Sequence, residues 1–461
     1  MRRRFDGRRL YKAIREFRAD TAALFADKDF AALVRSTLVE MGIAFRQGLY
    51  NPAVTVWIFL MQVLSADHSC RNAIANFIAQ RVARGLRPCS EQTGAYCTAR
   101  QRLSEELFSR LVRKVGDQLQ QSAPEDWLFK GRRVKVVDGT SVSMPDTEEN
   151  QKEYPQNHEQ APGVGFPIAR LVVIFSLAVG SVLDLAISAC QGKGTGELSL
   201  LRKLWHVLQA GEILLADRIY CGYFDIAELQ LRKVDAVMRK HQMRLPTNFR
   251  SLRLGKDDHL VIWHKPQCPT WMDIETYNRM PDYLLLREIR VHVRVPGFRV
   301  RTMLLITTLL DAEEFTRQDL ADLYRQRWDA ELDLRSLKVT LQMDILRCKT
   351  PDMVRKEIYM HWLGYNLVRQ VMMRSAQLHD IAPRQISFKG ALQTINALRN
   401  KEIDMQHNDT AVEALLVAVA GHRVGNRPNR LEPREVKRRP KPYKLLTEPR
   451  DVARSRLLAG S

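Results

Sequence analysis

The middle of the chain alternates short apolar runs with polar turns, a pattern that indicates a β-sheet. The apolar runs Ala169–Ala178 and Val182–Ala189 are separated by a glycine-serine turn and predict a hairpin. The β-branched run Val134–Val137 predicts the strand that pairs with this hairpin. Helical patterning over Gly196–Gln209 then leads into a fully apolar run, Ile213–Ala216. The sequence therefore predicts three antiparallel strands, a helix and a fourth strand.

An aspartate follows the first and the last of these strands. Asp138 begins the turn sequence Asp-Gly-Thr, and Asp217 comes directly after the fourth predicted strand. This order of elements is typical of an α/β fold of the RNase H-like kind, in which the first and fourth strands lie side by side. Either aspartate alone is more commonly a turn or capping residue. Two of them at neighbouring strand ends predict a pair of carboxylates at one edge of the sheet.

Residues 324–338 carry charged and polar side chains with helical periodicity. Four residues lie at offsets of −7, −4, +4 and +7 from Glu331, and on a continuous helix they share its face: Tyr324, Arg327, Arg335 and Lys338. A carboxylate flanked by cations suits a metal ligand held beside a polyphosphate. The alternative is a solvated face with salt bridges four residues apart. The two strand aspartates favour a site, because with Glu331 they supply three oxygen donors for Mg²⁺ or Mn²⁺.

Two further aspartates lie beside this glutamate. Asp329 and Asp333 are each two residues from Glu331, and on a helix this offset turns their side chains about 200° away from it. They are expected to face solvent or to pair with Arg325 and Arg335. The predicted site therefore excludes both aspartates.

The segment that precedes the sheet is mainly helical in its patterning. Pro52–Ser65 is an apolar run of helix length, and Tyr96–Lys114 is amphipathic with regularly placed arginines. Arg100, Arg102 and Arg110 are candidate contacts with a polyanion such as DNA, and the charged face of a helical bundle is an equal alternative. The sequence does not identify a helix-turn-helix here.

The segment between Asp217 and Glu331 is longer than an RNase H-like core requires, since 113 residues separate them. Its apolar runs Leu260–Pro266 and Tyr283–Val295 predict a β-rich insertion. The predicted division of the chain is a helical DNA-binding region (1–125), the first part of the core (130–240), the β-rich insertion (241–300), the second part of the core with the glutamate helix (301–400) and a basic C-terminal tail (401–461).

The charge of the chain indicates a polyanionic partner. The formal net charge is +20 and the pI is about 9.8. Residues 1–20 hold eight Lys or Arg against three acids, and residues 423–456 hold twelve against four. The seven cysteines include no Cys-x-x-Cys pair, so we expect reduced packing residues in a cytoplasmic protein rather than a disulfide or zinc framework.

These residues together resemble the DDE transposases of bacterial insertion sequences. One cut-and-paste group carries the motif Tyr-x2-Arg-x3-Glu-x6-Lys, and this chain matches it at Tyr324, Arg327, Glu331 and Lys338. The resemblance extends to the Asp-Gly-Thr at Asp138, to Met144–Gln156, to Ala-Asp-Arg-Ile-Tyr around Asp217 and to the basic stretch Arg427–Tyr443. It thus covers most of the chain.

The resemblance implies a transposase that cuts and joins DNA at the ends of an insertion sequence. Asp138, Asp217 and Glu331 would hold two divalent ions, Mg²⁺ with Mn²⁺ as a substitute, for phosphodiester hydrolysis and transesterification. The implied partners are the terminal inverted repeats and target DNA, with a homodimer on the DNA in the bacterial cytoplasm at the nucleoid. The residues expected to contact DNA are Tyr324, Arg327, Arg335, Lys338, Arg218 and a tryptophan that stacks on a flipped base, Trp263 or Trp271. Core packing is the alternative for either tryptophan, and a surface ion pair is the alternative for Arg218.

Two other functions fit the same residues. The chain is alternatively a related metal-dependent DNA nuclease, or a catalytically silent DNA-binding inhibitor of transposition. The complete set of Asp138, Asp217 and Glu331 argues against the silent alternative. A zinc hydrolase is not supported, because the eleven histidines include no His-Glu-x-x-His motif.

Overall fold

The structure is a computed structural model. The apolar runs of the middle of the chain form strands of a nine-stranded mixed sheet. The structure describes residues 8, 10–12, 14–15, 27–45, 48–241, 252–292, 302–399, 408–425 and 445–459. The strands are β1 (Val134–Ser143), β2 (Ile168–Ser176), β3 (Val182–Ala189), β4 (Ile213–Ala216), β5 (Asp235–Arg239), β6 (Leu252–Gly255), β7 (Asp258–His264), β8 (Tyr283–His292) and β9 (Thr302–Thr307).

The first five strands have the RNase H-like arrangement. Their order in the sheet is β3-β2-β1-β4-β5, with β2 antiparallel to β1 and with β4 parallel to both β1 and β5. All four residues of β4 are buried, as expected of a short central strand that is covered on both faces. The α/β fold class and the pairing of the first and fourth predicted strands are confirmed.

The first strand is longer than its sequence predicts. The turn chemistry at Asp138 was expected to end it, but β1 continues to Ser143 and pairs with β2 along that length. The prediction was wrong because β2 supplies backbone partners beyond the glycine that follows Asp138. On the other side of β1 the pairing with β4 stops at Val136.

The segment predicted as a β-rich insertion extends the same sheet. Strand β5 pairs antiparallel with β9, and the sheet continues through β8 and β7 to β6. The returning strand β9 therefore lies between the core and the three strands of this segment. Residues 242–251 and 293–300, which belong to the predicted insertion, lie outside the described residues.

Helices precede the sheet, lie between its strands and follow it. Before it come α1 (Asp27–Glu40), α2 (Pro52–Leu64), α3 (Cys70–Ala83), α4 (Gly94–Arg102) and α5 (Glu105–Gln121). The later helices are α6 (Glu148–Glu153), α7 (Glu197–Arg202), α8 (Tyr223–Leu231), α9 (Ile274–Arg279), α10 (Arg317–Arg325), α11 (Trp328–Arg335), α12 (Pro351–Leu378), α13 (Phe388–Arg399), α14 (Asp409–Gly421) and α15 (Arg450–Ala459). In the described part of the chain, no helix combines the length and apolarity needed to cross a membrane.

Local capping decides where several of these helices begin and end. The predicted helix Pro52–Ser65 is confirmed as α2. The predicted helix Tyr96–Lys114 is instead two helices, because the Ser104 hydroxyl accepts a hydrogen bond from the Leu107 N–H and starts α5. The predicted helix Gly196–Gln209 contains only α7 and a later 3-10 turn.

The chain forms two compact units that do not follow sequence order. One contains helices α1–α5 and α12–α14, and its central helix α12 is buried along nearly all of its length. The other contains most of the sheet with α6–α10 and α15. The five-part division of the chain stays a prediction, since each unit combines stretches that are far apart in the sequence.

Candidate active site

The parallel register of β1 and β4 sets two aspartates level with each other. Val136 lies opposite Leu215, and continuing this register by two residues aligns Asp138 with Asp217. Strand β4 ends at Ala216, so Asp217 is the first residue beyond it. Both aspartates are half-buried. The continued register therefore sets the two predicted carboxylates level with each other, Asp138 within β1 and Asp217 one residue past the end of β4.

The carboxyl group of Asp138 lies among other charges. Burial raises its pKa from 3.8 to about 6, although the Arg327 guanidinium lowers it. The backbone N–H of Gly139 donates to Oδ1 of Asp138 at 3.0 Å, which also lowers the pKa, whereas Glu331 and Glu197 raise it. Asp138 is therefore within electrostatic range of two further carboxylates and one cation.

The helix predicted over residues 324–338 is interrupted. Helix α10 ends at Arg325, two residues form a turn, and α11 begins at Trp328. After α11 the chain continues as a π-helical segment, Ser336–Thr340, that contains Lys338. The prediction of one continuous helical face was wrong, because a turn and a π-helical segment replace the regular helical hydrogen bonds on both sides of α11.

Arg327 and Glu331 nonetheless meet. Nη2 of Arg327 donates to Oε1 of Glu331 at 2.7 Å. Burial opposes the charge of Arg327, but its pKa is raised by its neighbours Tyr324, Glu331, Asp138 and Asp217. Tyr324, the next-to-last residue of α10, is only 5% exposed. The cation thus lies within reach of all three predicted carboxylates.

A fourth carboxylate at this edge of the sheet was missed by the sequence reasoning. Glu197 is the first residue of α7, and the buried Tyr220 hydroxyl donates to its Oε2 at 3.2 Å. A Cβ atom at Gly139 would lie 2.7 Å from Cδ of Glu197, so this carboxylate lies directly over the residue after Asp138. The glycine of the Asp-Gly pair was the available signal. It marks a close approach within a strand rather than the predicted turn.

Three other basic residues that were predicted to contact DNA differ in their exposure and in the unit to which they belong. Arg218 follows Asp217 and is exposed in the 3-10 turn Arg218–Tyr220. Arg335 is exposed as the last residue of α11, and Lys338 is half-buried in the π-helical segment. Arg335 and Lys338 belong to the helical unit rather than to the unit that contains the aspartates. Contacts of these three residues with DNA stay predictions.

The aspartate that follows Glu331 by two residues has a structural partner. Asp333 was expected to face solvent or to pair with Arg335, and this was wrong, because Asp333 is fully buried. It pairs instead with Arg369 of α12 and, at 2.8 Å, with Arg384. The offset of two residues does turn it away from Glu331, but toward the interior of the helical unit.

The arginines proposed in the N-terminal helices differ in exposure. Arg100 is 7% exposed and its Nη2 lies 3.3 Å from Sγ of Cys70, so its predicted contact with DNA was wrong. Arg110 pairs with Glu106 of the same helix, with Nε donating at 2.9 Å. Arg102 is exposed. Arg100 therefore lies inside the helical unit and not on a charged outer face.

The two tryptophans proposed for base stacking lie in different surroundings. Trp263 is 6% exposed in β7, where it pairs with Leu284 of the next strand. Trp271 is 47% exposed, and the Arg202 guanidinium lies 3.5 Å from the centre of its ring. The rings of Phe224 and Trp271 make a T-shaped contact, with their centres 6.0 Å apart. Core packing, the alternative for either residue, therefore applies to Trp263.

The donor chemistry of this edge fits a hard divalent cation. Asp138, Asp217 and Glu331 offer carboxylate oxygens alone, which Mg²⁺ and Mn²⁺ accept. Within the described ranges, no group of three or more His, Cys, Asp and Glu side chains is arranged to hold an ion. Nη2 of Arg327 contacts Oε1 of Glu331, so an ion ligated by all three carboxylates would share the Glu331 carboxylate with this arginine.

Known proteins match this chain across the site. The Transposase DDE domain family matches residues 129–367. The transposase InsG of insertion sequence IS4 from Escherichia coli K12 is 28% identical over 365 residues, which cover 76% of this chain and 77% of that protein. The transposase of insertion sequence IS421 from Escherichia coli is 33% identical over 282 residues, 55% of this chain and 69% of its own. A cryo-EM structure of the piggyBac transposase synaptic complex with hairpin DNA aligns with a TM-score of 0.41 at 9% identity, over 93% of this chain and 88% of that chain.

The family match spans more than half of the chain and includes all three carboxylates. It defines an enzyme that cuts DNA. The chain belongs to the Transposase DDE domain family, and its function is that of an insertion-sequence transposase.

Proposed function

We propose that this transposase cuts DNA at the ends of its insertion sequence and joins the freed ends to target DNA. Cutting is phosphodiester hydrolysis, and joining is transesterification by the new 3′-hydroxyl. The observation that carries the proposal is the register that aligns Asp138 with Asp217. Glu331 supports it, because its charge raises the pKa of Asp138.

In this proposal three carboxylates hold the catalytic ions. Asp138, Asp217 and Glu331 would bind Mg²⁺, for which Mn²⁺ is a substitute. Such ions, when bound, activate the attacking hydroxyl and stabilise the leaving oxygen of an in-line displacement. The half-buried position of both aspartates limits the water around them, which strengthens their electrostatic interactions with a cation.

Arg327 and Tyr324 are proposed to position the DNA backbone. Arg327 keeps its charge among the carboxylates, and its planar guanidinium suits a phosphate next to the scissile bond. Burial raises the pKa of Tyr324, so its hydroxyl stays neutral and donates a hydrogen bond to a phosphate oxygen. Contacts of this kind fix the position of DNA and do not read its sequence.

The remaining DNA contacts are proposed from exposure and charge. Arg218, Arg335 and Lys338 are proposed to bind phosphates farther from the cut. Trp271 is the better candidate than Trp263 for stacking on a flipped base, since it is half-exposed and Trp263 is buried. Stacking of this kind contributes about 1–3 kcal/mol per base.

The partners are proposed to be double-stranded DNA and a second copy of the chain. The formal net charge of +20 supports binding of a polyanion. Bringing two element ends together favours a homodimer that forms on the DNA. The site of action is proposed to be the nucleoid in the bacterial cytoplasm.

A strand-cleavage assay tests this function. The purified protein is incubated with Mg²⁺ and a duplex that carries the terminal repeat of its own element, and the products are separated on a denaturing gel. We expect nicks with 3′-hydroxyl ends that disappear in EDTA and in Glu331→Gln. Asp329→Asn is the matched control, because it removes a carboxylate from the same helix and should keep cleavage. Full cleavage by Glu331→Gln would contradict the proposal.

The joining step needs its own readout. A labelled element end with a free 3′-hydroxyl is incubated with a supercoiled target plasmid, and transfer of the label to the plasmid is measured. Transfer by the unsubstituted protein supports the transposase reaction. Nicking without transfer would indicate a nuclease that does not join strands. DNA binding with neither reaction would indicate a silent inhibitor.

A further inference from the structure

Two thiols lie together in the helical unit. Cys70 is the first residue of α3 and Cys97 lies in α4, and their Sγ atoms are 3.8 Å apart. Nη2 of Arg100 lies 3.3 Å from Sγ of Cys70 and 3.8 Å from Sγ of Cys97. The Gln62 amide nitrogen is also 3.8 Å from the Cys70 sulfur. The two sulfurs therefore share a hydrogen bond and a cation.

We propose that Cys70 and Cys97 are a site of reversible oxidation, at which a peroxide converts the two thiols into a disulfide that joins α3 to α4. From the sequence, all seven cysteines are expected to be packing residues. The inference does not depend on the metal site or on DNA cleavage.

The separation of the two sulfurs allows the bond to form with small movements. A disulfide has an S–S length of about 2.05 Å, so the sulfurs must approach by about 1.8 Å. Rotation about the Cα–Cβ bonds of the two cysteines provides movement of this size. Both cysteines are half-buried, so a molecule as small as hydrogen peroxide has a route to them.

The surroundings also favour the reactive thiolate form. The shared hydrogen bond with Cys70, aided by the Arg100 guanidinium, lowers the pKa of Cys97 to about 5. The same coupling raises the pKa of Cys70, because the pair readily loses one proton and resists losing the second. One thiolate beside one thiol is the combination that disulfide formation requires.

The chemistry proceeds in two balanced steps. The Cys97 thiolate attacks one oxygen of hydrogen peroxide, the O–O bond breaks, and the sulfenic acid of Cys97 forms with release of hydroxide. The Cys70 sulfur then attacks the Cys97 sulfur, the S–O bond breaks, and hydroxide leaves as the Cys70 proton is lost. Overall, two thiols and one hydrogen peroxide give one disulfide and two waters.

The disulfide would reinforce an apolar cluster between the same helices. Ile74 of α3 and Tyr96 of α4 pack together with Ile58 of α2, and Cys70 contacts this cluster. Tyr96 also donates from its hydroxyl to Gln62 at 2.8 Å. A covalent bond at this position restricts the separation of α3 and α4, so we expect the melting temperature to rise on oxidation and to return on reduction.

Thiol mapping of the full-length protein tests the proposal. The protein is treated with hydrogen peroxide, its free thiols are blocked with N-ethylmaleimide, and a peptide digest is examined by mass spectrometry before and after dithiothreitol. The number of free thiols should fall by two from seven, with the loss at Cys70 and Cys97. A linked pair of peptides should appear and should disappear on reduction. This result needs no substituted protein.

Variants then locate the reaction. Cys97→Ser and Cys70→Ser should each abolish the linked peptides, whereas Cys268→Ser, which changes an exposed cysteine, should leave them in place. Circular dichroism checks that each variant is folded. Oxidation that links other cysteines, or that leaves Cys70 and Cys97 as free thiols while Cys268 reacts, would overturn the proposal.

Discussion

Arg327, in the turn between α10 and α11, donates a hydrogen bond of 2.7 Å to Glu331. The same guanidinium lowers the pKa of Asp138, which lies on β1. One cation therefore connects the glutamate of the helix with the aspartate of the sheet. Burial raises the pKa of Asp138 and Arg327 lowers it, so the pH at which the proposed metal site loses affinity should depend on both.

Binding of Mn²⁺ is expected to weaken below pH 6. Burial raises the pKa of Asp138 to about 6, and protons compete with the cation for its carboxylate. Well above this pH the carboxylate is ionised and affinity is constant; below it, each pH unit lowers affinity by up to about tenfold. Calorimetric titration without DNA, from about pH 5 to pH 8, measures this. The same affinity throughout would contradict the prediction.

Arg327→Gln should raise the pH below which Mn²⁺ binding weakens. The substitution removes the cation that favours the ionised form of Asp138, so binding of Mn²⁺ should begin to weaken at a higher pH than in the unsubstituted protein. Arg325→Gln is the matched control, because Arg325 is exposed at the end of α10 and pairs with Asp322. A shift of equal size in both variants would indicate a general charge effect rather than a contact with the site.

Glu197→Gln is predicted to act in the opposite direction. Glu197 raises the pKa of Asp138, so removing its charge should extend Mn²⁺ binding to lower pH. Glu228→Gln is the comparison, since this glutamate pairs with Arg232 on the surface. If Glu197→Gln instead weakens binding at every pH, Glu197 holds the ion itself, and the prediction of a purely electrostatic effect is wrong.

Substitution of the two tryptophans should have different effects, one on folding stability and the other on contact with DNA. Trp263→Ala removes a buried ring and is expected to cost about 3–5 kcal/mol of folding free energy. Trp271→Ala should change stability little but reduce the fluorescence response of 2-aminopurine placed near the cut end. Urea unfolding and fluorescence titration measure the two effects. An unchanged fluorescence response in Trp271→Ala would remove this residue as the stacking partner.

The buried aspartate next to the proposed site is predicted to be structural. Asp333→Asn leaves Arg369 and Arg384 without the charge that compensates them, at an expected cost of about 3–5 kcal/mol. Asp329→Asn, on the same helix, should change the urea midpoint little. A loss below about 0.5 kcal/mol in Asp333→Asn would show that the ion pairs contribute nothing to folding.

The sequence predicts the sheet well because buried strands carry a local signal. The fully apolar run of β4 and the hairpin of β2 and β3 each need only their own residues to be recognised. The two aspartates can be recognised for the same reason, because each directly follows an apolar run in the sequence. The parallel register then brings them level without any further information.

Features that depend on contacts between distant segments could not be predicted. The spacing from Tyr324 to Glu331 is the same in a continuous helix and in one broken by a turn. Glu197 reaches the site only because α7 packs over Gly139. Asp333 is a charged residue on a helix with polar residues, and only the position of α12 shows that it is buried. These positions are decided by tertiary packing, which single-sequence periodicity does not contain.

Asp138, Asp217 and Glu331 are proposed to form one metal site. The most direct test is the amount of Mn²⁺ bound, measured by electron paramagnetic resonance at about pH 8, well above the pKa of Asp138. Asp138→Asn, Asp217→Asn and Glu331→Gln keep the shape of each side chain and remove its charge. We predict that each lowers affinity by about tenfold or more, whereas Asp329→Asn does not. Binding of Mn²⁺ that is unchanged in all three variants would contradict the account.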